Sequence, residues 1–430
     1  MTALTLSARV DDAFLRWLAD WLVVLIAIAL PWSITATAIC IVAWLLAVLP
    51  SLGPRLVTRE IETAAGGLPV LLWCLGVLGM LWADVSWTER IQGLGSFHRL
   101  LIIPLLLAQF RRSDHGMRVI YGFLISSAIA LIASYVLTLT PGLHWRSNCP
   151  QPYPATCMVA HDAIFHGSAA VICGFGALGY AAREAIRRHW RAFWVLLAIA
   201  SIFFAYFLIV PEFSRVAIAV GAILFAVLGW RLYRWQGLLV ACLLAGGVTA
   251  ASWFTSSSLR ERIYHSFEEM REYSATNKAT SLGEHVAFLK ESLKIISSAP
   301  LVGHGTGSIA KEFRQVTAGA HGAAGVVTIN PHNQTFAVAI QIGLFGAIVL
   351  WAMWIAHFRL FRGEGTIAWM GTVIVLENVA SSIVHSHLFD SAHGWLYVFG
   401  IGVLGGMVQR NQSFTTLALA GSNNHRKFPP

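Results

Sequence analysis

Charged residues are scarce in this chain, and their scarcity excludes an ordinary soluble domain. Only 12% of the 430 residues are charged, whereas 57% are hydrophobic. Average soluble domains carry about 25% charged residues, so this chain has too little polar surface to cover a water-soluble globule. Its apolar runs repeatedly reach the roughly 20 residues that a helix needs to cross the hydrocarbon of a bilayer. The composition therefore predicts an all-α polytopic membrane protein built as one helical bundle.

No cleavable signal peptide, internal repeat or low-complexity tract is evident either. The apolar stretch 14–30 leads into the next span without a small-residue cleavage site, so we expect it to form the first transmembrane helix. The stretch 98–110 is short for a full crossing, and we expect it to tilt, to begin earlier or to be supported by neighbours. In all, hydropathy predicts about twelve spans: 14–31, 33–50, 68–83, 98–110, 118–139, 163–182, 192–210, 214–231, 236–254, 334–357, 366–385 and 393–409.

Basic residues are rare on one side of the predicted bundle. The formal net charge of +9 does not indicate nucleic-acid binding, because cytoplasmic loops of membrane proteins collect Lys and Arg. With the N-terminus inside, the inner segments hold eighteen Lys or Arg residues, whereas the short outer loops hold four: Arg90, Arg99, Arg146 and Arg215. This asymmetry predicts that both termini are cytoplasmic and that the long stretch 255–333 faces outward.

The chain then divides into four parts. Residues 1–254 would form nine transmembrane helices, 255–333 a helical cap on the outer face, 334–410 three more helices, and 411–430 a polar cytoplasmic tail. The cap is expected to contain a helix at 258–273. It should contain a second helix with one apolar stripe at helical spacing, formed by Val286, Leu289, Leu293 and Ile296.

Cysteine is sparse. Four of the six cysteines lie within predicted spans and are expected to be small core residues. Cys149 and Cys157 lie in an outer loop, where an oxidising compartment would permit a disulfide. A disulfide and two free thiols both remain open for this pair.

Two polar residues at the predicted outer face are candidates for chemistry. Arg215 lies in a very short outer hairpin next to Glu212 and Ser214, and its planar guanidinium suits phosphate. The alternative is a snorkelling interfacial anchor. His332, between Asn330 and Pro331 on one side and Asn333 on the other, precedes a long apolar run. Its imidazole titrates near neutrality and can accept a proton from a hydroxyl, with the asparagines fixing its tautomer. The alternative is a structural hydrogen-bonding role.

Further polar clusters are less specific. His385, His387, Asp390 and His393 are zinc-type ligands, but their spacing matches no ligand signature, so an outer polar hairpin is the other reading. Glu377 lies inside a span and is expected to be paired or functional, with His98 and Arg99 as possible partners or as residues facing a cavity.

Two loop motifs bear on phosphate binding. The sequence "GHGTGS" at 303–308 resembles a phosphate-cradling loop but lacks the following Lys, which favours a turn after Pro300. The outer loops also lack an Asp-x-Asp pair, which argues against a divalent metal holding a pyrophosphate. If pyrophosphate is bound, arginine must supply the positive charge.

These features together resemble the O-antigen ligase family. The resemblance rests on the span layout, the large outer loop before the tenth span, the hairpin Arg215, the "PHN" at 331–333, and "ESLKIISSAPLVGHGTGS" at 291–308, which is similar to the family's Pro-Leu-x-Gly-x-Gly element. It implies a GT-C-like glycosyltransferase architecture in the bacterial inner membrane, with the active site facing the periplasm. It also implies catalytic roles for His332 and Arg215.

The resemblance implies the substrates as well. The donor would be an O-antigen glycan on undecaprenyl diphosphate, the acceptor a sugar hydroxyl of lipid A–core, and the surroundings membrane lipids, with no cofactor, metal or nucleic acid. The family's second loop arginine has no clean match, because "SLGEHVAFL" places Glu284 and His285 there. Arg262 or Arg271 would then bind phosphate from earlier in the loop. The remaining residues expected to bind substrate are Arg99, His285 and Asn333.

Three other functions stay open at this point. An O-antigen polymerase runs the same chemistry on a growing glycan, but it usually shows two sizeable outer loops, whereas the loop 140–162 is modest here. A bacterial protein O-oligosaccharyltransferase shares the carboxy-terminal pattern. A transporter is compatible with twelve spans, but it needs no structured outer cap of this size.

Overall fold

The computed structural model describes residues 2–140, 159–160, 163–209, 214–255 and 257–425. Cys149, Cys157, Arg146 and Glu212 lie outside these ranges. Every regular element in the described ranges is a helix, and two of them, Arg99–Leu101 and Gly322–Gly325, are 3₁₀ helices. The α-helices are α1 Thr2–Ala29, α2 Ile34–Ser51, α3 Pro54–Ile61, α4 Ala64–Gly79, α5 Trp87–His98, α6 Ile102–Phe110, α7 Gly116–Leu139, α8 Ala163–Ile186, α9 Trp190–Phe204, α10 Tyr206–Ile209, α11 Arg215–Thr255, α12 Ser257–Thr276, α13 Ser281–Ser298, α14 Ile309–Val316, α15 Gln334–Leu360, α16 Thr366–Ser381 and α17 Ser391–His425.

The all-helical membrane architecture predicted from composition is confirmed. Within the described ranges, seven helices are long and apolar enough to cross a bilayer, and the number becomes eight if α3 and α4, bent by 88°, count as one span. Two further apolar helices, α9 and α16, are shorter. The total of twelve spans and the cytoplasmic placement of both termini therefore stay predictions.

One predicted span differs in its boundaries. The short stretch 98–110 begins earlier than predicted, because α5, a 3₁₀ turn and α6 form one apolar run over Trp87–Phe110. The predicted spans 214–231 and 236–254 both lie in α11, where a kink at Tyr233 and Arg234 separates two helices. Arg234 has a φ of 54°, a left-handed conformation that interrupts the helix and separates its two halves.

Buried polar side chains connect the helices where hydrocarbon cannot satisfy them. His357 of α15 is fully buried and lies 2.7 Å from the Tyr397 hydroxyl of α17 and 2.9 Å from the Ala65 carbonyl of α4. On another side of the bundle, Gln109 accepts from the Trp44 indole at 2.8 Å and donates to Asp20 at 2.7 Å. These bonds fix α15, α17 and α4 as one unit, and α1, α2 and α6 as another.

The cap, residues 255–333, is helical as expected, and the buried face of α13 lies beside the apolar stripe identified from the sequence. Leu289 and Leu293, placed in the predicted stripe, are exposed at 44% and 52%. The buried side of α13 instead carries Phe288 and Ile295, which pack against Phe313 of α14 and Ile340 of α15. The spacing located a helix correctly, but two apolar stripes share it, and packing against α14 and α15 decides which one is buried.

The glycine-rich stretch 303–308 is a turn, as the sequence favoured, and it packs against a break in α15. Gly343, with a φ of 68°, interrupts α15 and leaves its neighbouring backbone groups available. The turn satisfies them, because His304 N donates to the Ile340 carbonyl at 2.8 Å and Leu344 N donates to the Pro300 carbonyl at 2.8 Å. The cap is thereby attached to α15 within the helix that follows the His332 segment.

Candidate active site

A strained turn ahead of α15 holds His332. Its φ of 52° lies in the left-handed region, which few residues other than glycine adopt. The Asn330 side chain accepts from the His332 backbone N–H at 2.9 Å, and the Thr328 hydroxyl accepts from Asn330 N at 3.0 Å. Such side-chain-to-backbone bonds stabilise tight turns. A backbone conformation of this kind persists only where its surroundings hold it in place, and it is a feature that clusters at functional sites.

Asn333 fixes the start of α15. Its side-chain oxygen accepts from Phe336 N at 3.0 Å as the N-cap, and its amide nitrogen donates to the Ile383 carbonyl at 2.9 Å. The bonds of Asn330 and Asn333 thus go to backbone groups, rather than to the His332 ring as the sequence suggested. Asn333 instead connects the His332 turn to the segment after α16.

The partner of the His332 ring is another histidine. Nδ1 of His332 lies 3.3 Å from Nδ1 of His385, so one of these atoms carries the hydrogen and the other the lone pair. The His285 ring of α13 meets the His332 ring edge to face at 4.7 Å. Phe288, one turn along α13, stacks on the same His332 ring, with the ring centres 5.7 Å apart and an interplanar angle of 9°. The imidazole is therefore positioned from both the cap and the bundle.

The environment keeps the imidazole of His332 unprotonated. Burial, and after it the nearby charge of His285, lowers the pKa of His332 to about 4. A neutral imidazole has a nitrogen lone pair that can accept a proton from a hydroxyl. At neutral pH this site therefore holds a free base.

Arg215 belongs to the same site. It is the first residue of α11, exposed, and follows Ser214, whose hydroxyl accepts from Ala217 N at 3.3 Å. The pKa of His285 is lowered first by burial, against the opposing charge of Glu284, and also by the charge of Arg215. The guanidinium is therefore within electrostatic reach of His285, whose ring contacts His332. Of the residues predicted from sequence, the structure brings together Arg215, His285 and His332.

Arg99 is placed differently from the other candidates. It is 8% exposed, and its guanidinium donates to the backbone carbonyls of Leu388 and Asp390 and lies 5.5 Å from the Trp395 ring. It therefore holds the turn that follows His385. Glu377, the suggested partner of Arg99, is buried and bonds to Ser168 of α8 instead.

The two arginines considered as replacements for the second phosphate contact lie on α12. Arg271 is exposed there. Arg262 lies on the same helix, and its side chain is outside the described part of the chain. Neither position is tied to the His332 cluster by a described contact, so their role in binding phosphate stays a prediction.

A row of stacked imidazoles extends from His385 into the bundle. His385 and His387 stack at 5.0 Å, and His387 and His393 stack at 3.9 Å. His393 lies 2.9 Å from Asp390, and burial lowers the pKa of His387 well below its usual value. Burial favours a raised pKa for Asp390, but the hydrogen bond and charge of His393 outweigh it, so the pKa is lowered. Across the described residues, no group of three or more His, Cys, Asp or Glu side chains is arranged to hold a metal ion.

His385 is the site residue that sequence reasoning did not connect to His332. A signal was available in the predicted topology. The span 334–357 begins at the outer face and the span 366–385 ends there, so residues 332 and 385 are expected at the same end of neighbouring helices. The stacking of Phe288 on His332 had no comparable signal, because an aromatic residue on a cap helix fits simple packing equally well.

Comparison with known families covers the part of the chain that carries most of these residues. Residues 200–352 match the family model described as O-Antigen ligase. The matched stretch contains Arg215, the cap and His332, whereas His385 lies beyond it. No curated protein matches the chain. The family match confirms the resemblance drawn from the sequence. It indicates a glycosyltransferase-like enzyme that acts on lipid-linked sugars, without distinguishing ligation from polymerisation.

Proposed function

We propose that this chain transfers an O-antigen glycan from undecaprenyl diphosphate to a sugar hydroxyl of lipid A–core, at the periplasmic face of the bacterial inner membrane. One observation carries the proposal. A neutral histidine and an exposed arginine, 117 positions apart in the sequence, both act on His285 at one end of a membrane bundle, the histidine by ring contact and the arginine by its charge. A lipid tail needs hydrocarbon, whereas a diphosphate and a glycan need a polar interface, and this location offers both.

The proposed reaction is a single displacement. His332 accepts the proton of the acceptor hydroxyl, most directly at Nε2, because Nδ1 faces His385. The hydroxyl oxygen then forms a bond to the anomeric carbon as the bond from that carbon to the diphosphate oxygen breaks. Arg215 stabilises the negative charge that grows on the departing diphosphate, a preorganised role that typically contributes about 3–4 kcal/mol. A single displacement of this kind inverts the configuration at the anomeric carbon.

The lowered pKa of His332 suits this order of events. Before the donor binds, the imidazole is unprotonated and ready to accept a proton. The donor then adds a diphosphate, and a negative charge nearby stabilises the imidazolium that forms. We infer that His385 acts on His332 rather than on substrate, because a hydrogen on Nδ1 shared with His385 leaves the lone pair on Nε2.

The proposal needs no metal, because Arg215 supplies positive charge at the leaving group and the outer loops offer no Asp-x-Asp pair. Addition of EDTA is therefore expected to leave transfer unchanged. A loss of activity that Mg²⁺ restores would contradict this part of the proposal.

Transfer by the purified protein, with lipid-linked donor and core acceptor, tests the residue roles. We expect His332→Ala to reduce kcat by about 10²–10⁴-fold, the usual contribution of a general base. Arg215→Ala should reduce kcat by about 10²-fold or more. Lys290→Ala is the matched control, because this cap cation bonds to Tyr273 and should leave kcat unchanged. Normal transfer by His332→Ala would remove the assigned base.

His385→Asn provides a separate check on the His332 partner. We expect a lower kcat with an unchanged KM for both substrates, because only the orientation and tautomer of His332 are disturbed. A raised donor KM instead would indicate that His385 contacts the donor. The same assay tests Arg262→Ala and Arg271→Ala. Loss of a second phosphate contact would raise the donor KM.

A deletion strain distinguishes the ligase from the polymerase. Lipopolysaccharide gels should lose the whole O-antigen ladder, including the band of core that carries one repeat, if the chain ligates the glycan. Core carrying a single repeat would indicate polymerisation instead, and an intact ladder with altered glycoproteins would indicate a protein O-oligosaccharyltransferase. Metal-independent transfer by the purified protein would exclude a pure transporter.

A further inference from the structure

A polar cavity adjoins the histidine cluster. It has a volume of about 510 Å³ and lies between α5, α14 and the turn after His385. Its lining includes Asn330 and Pro331, which immediately precede His332, and Ser386, which immediately follows His385. Cavities that bind small ligands usually measure about 300–1,000 Å³, so this one is large enough for a ligand of one or a few rings.

The lining has the chemistry that binds sugars. Gln92 and Ser96 of α5 contribute an amide and a hydroxyl, and Asp390 contributes a carboxylate that is 48% exposed. Phe389 and Ile309 add apolar surface. A sugar ring presents hydroxyls at its edge and C–H groups on its faces, so it can use both kinds of wall at once.

A buried hydroxyl in this lining lacks a protein partner. Ser386 is 4% exposed, and its Oγ has no hydrogen-bond partner among the described residues. Buried polar side chains in folded proteins are nearly always hydrogen-bonded, and exceptions call for an explanation. Ser386 is therefore the lining residue whose hydroxyl has no protein partner among the described residues, and it lies next to the histidine that contacts His332.

The charge of the cavity separates it from the diphosphate site. The charged residues of the lining are Glu89, Asp390 and Arg314. The Arg314 guanidinium lies 3.5 Å from the Glu89 carboxylate. The lining therefore carries no free positive charge for a phosphate. Arg215 and His285, which mark the diphosphate side of the site, are outside the lining. Negative and neutral groups here favour an uncharged saccharide over a phosphorylated one.

We propose that this cavity is the acceptor subsite and holds an unphosphorylated saccharide residue of the acceptor, with one hydroxyl directed toward His332. The inference rests on the proposed function, since it names the acceptor side of that same site. It assigns α5 and α14 to acceptor recognition, and it leaves the donor to Arg215 and the lateral faces of the bundle.

Filling the cavity tests this assignment. Gln92→Trp places a large side chain in the lining, and Gln315→Trp is its matched control, because Gln315 is an exposed glutamine of α14 outside the lining. In the transfer assay, we expect Gln92→Trp to raise the acceptor KM at least tenfold and leave the donor KM unchanged. Ser386→Ala should raise the acceptor KM by a smaller factor, and Gln315→Trp should change neither. An unchanged acceptor KM, or a raised donor KM, in Gln92→Trp would overturn the assignment.

A binding measurement separates this inference from the transfer reaction. Saturation-transfer NMR on the full chain in nanodiscs uses two probes: dephosphorylated core oligosaccharide and inorganic phosphate. We expect the oligosaccharide signal to be lost in Gln92→Trp and kept in Gln315→Trp, with no competition from phosphate. This outcome would support the cavity even if the wild type transferred no glycan. Equal signals in the two variants, or displacement by phosphate, would refute it.

Discussion

At the scale of single residues, the protonation of His332 is set by its neighbours. Burial and the charge of His285 lower its pKa to about 4. The neutral form is the base, so activity should persist as pH falls and decline only as pH approaches that pKa. His285→Ala removes a positive charge, so the pKa should rise and the acid limb of kcat/KM should move to higher pH, by about half a unit or more.

The pH profile of the purified protein checks this expectation. His265→Ala is the control, because this cap histidine is exposed and paired with Glu269, so its loss should leave the acid limb in place. If the acid limb of His285→Ala keeps its position or moves to lower pH, the imidazoles of His285 and His332 do not interact electrostatically as expected.

Residue type and position in the sequence located part of this site. Arg215 and His332 stood out because a cation and an imidazole lay at the predicted outer ends of apolar spans. Arg99 stood out for the same reason, yet it is buried and bonds to the carbonyls of Leu388 and Asp390. Sequence position gives the depth of a side chain in the membrane, but not the direction in which it points. That direction decides whether a cation contacts substrate or supports a turn.

At the scale of helices and turns, the joint between the cap and α15 depends on Gly343. Its positive φ and its close approach to the Leu301 backbone leave no room for a side chain. Gly343→Ala should therefore destabilise the protein by at least about 1–2 kcal/mol, the cost of a left-handed conformation for a residue with a Cβ. We expect a lower Tm from intrinsic tryptophan fluorescence, together with reduced transfer, because the turn 303–308 and the His332 segment both depend on this joint.

Gly363→Ala is the control for that substitution. Gly363 lies in the short connection between α15 and α16, where an added Cβ meets no atom within 4 Å. Its Tm should match the wild type. Equal Tm values for Gly343→Ala and the wild type would show that the break in α15 tolerates an ordinary residue.

Hydropathy predicted most of the helices, because the bilayer imposes a length on apolar runs. It did not predict the break at Gly343, since that break depends on contacts and a backbone conformation that leave the average hydropathy unchanged, whereas the break at Arg234 falls between the predicted spans 214–231 and 236–254. Which face of α13 is buried was not predicted either, for a related reason. Helical spacing is satisfied by Leu289 and Leu293 as well as by Phe288 and Ile295, and only packing against Phe313 distinguishes the two faces.

At the scale of the whole molecule, the proposed function requires the cap and His332 to lie outside the cytoplasm. α15 runs 27 residues from Gln334 to Leu360, and although the break at Gly343 divides it, it is long and apolar enough to cross a bilayer. Its two ends must therefore reach opposite faces if it crosses the bilayer. Gln315 of the cap would then be outside, and Gly363, just beyond the other end of α15, would be inside, in agreement with the basic residues Arg359 and Arg362 beside it.

Cysteine labelling tests this arrangement directly. In a variant without native cysteines, Gln315→Cys should react with a membrane-impermeant maleimide in intact spheroplasts. Gly363→Cys should react only after lysis. Gln315 is exposed on α14 and Gly363 has open space around it, so folding should be retained and is checked by glycan transfer. Labelling of both sites from the same side would mean that α15 does not cross the bilayer, and His332 would then have no route to a donor and an acceptor presented at the periplasmic face.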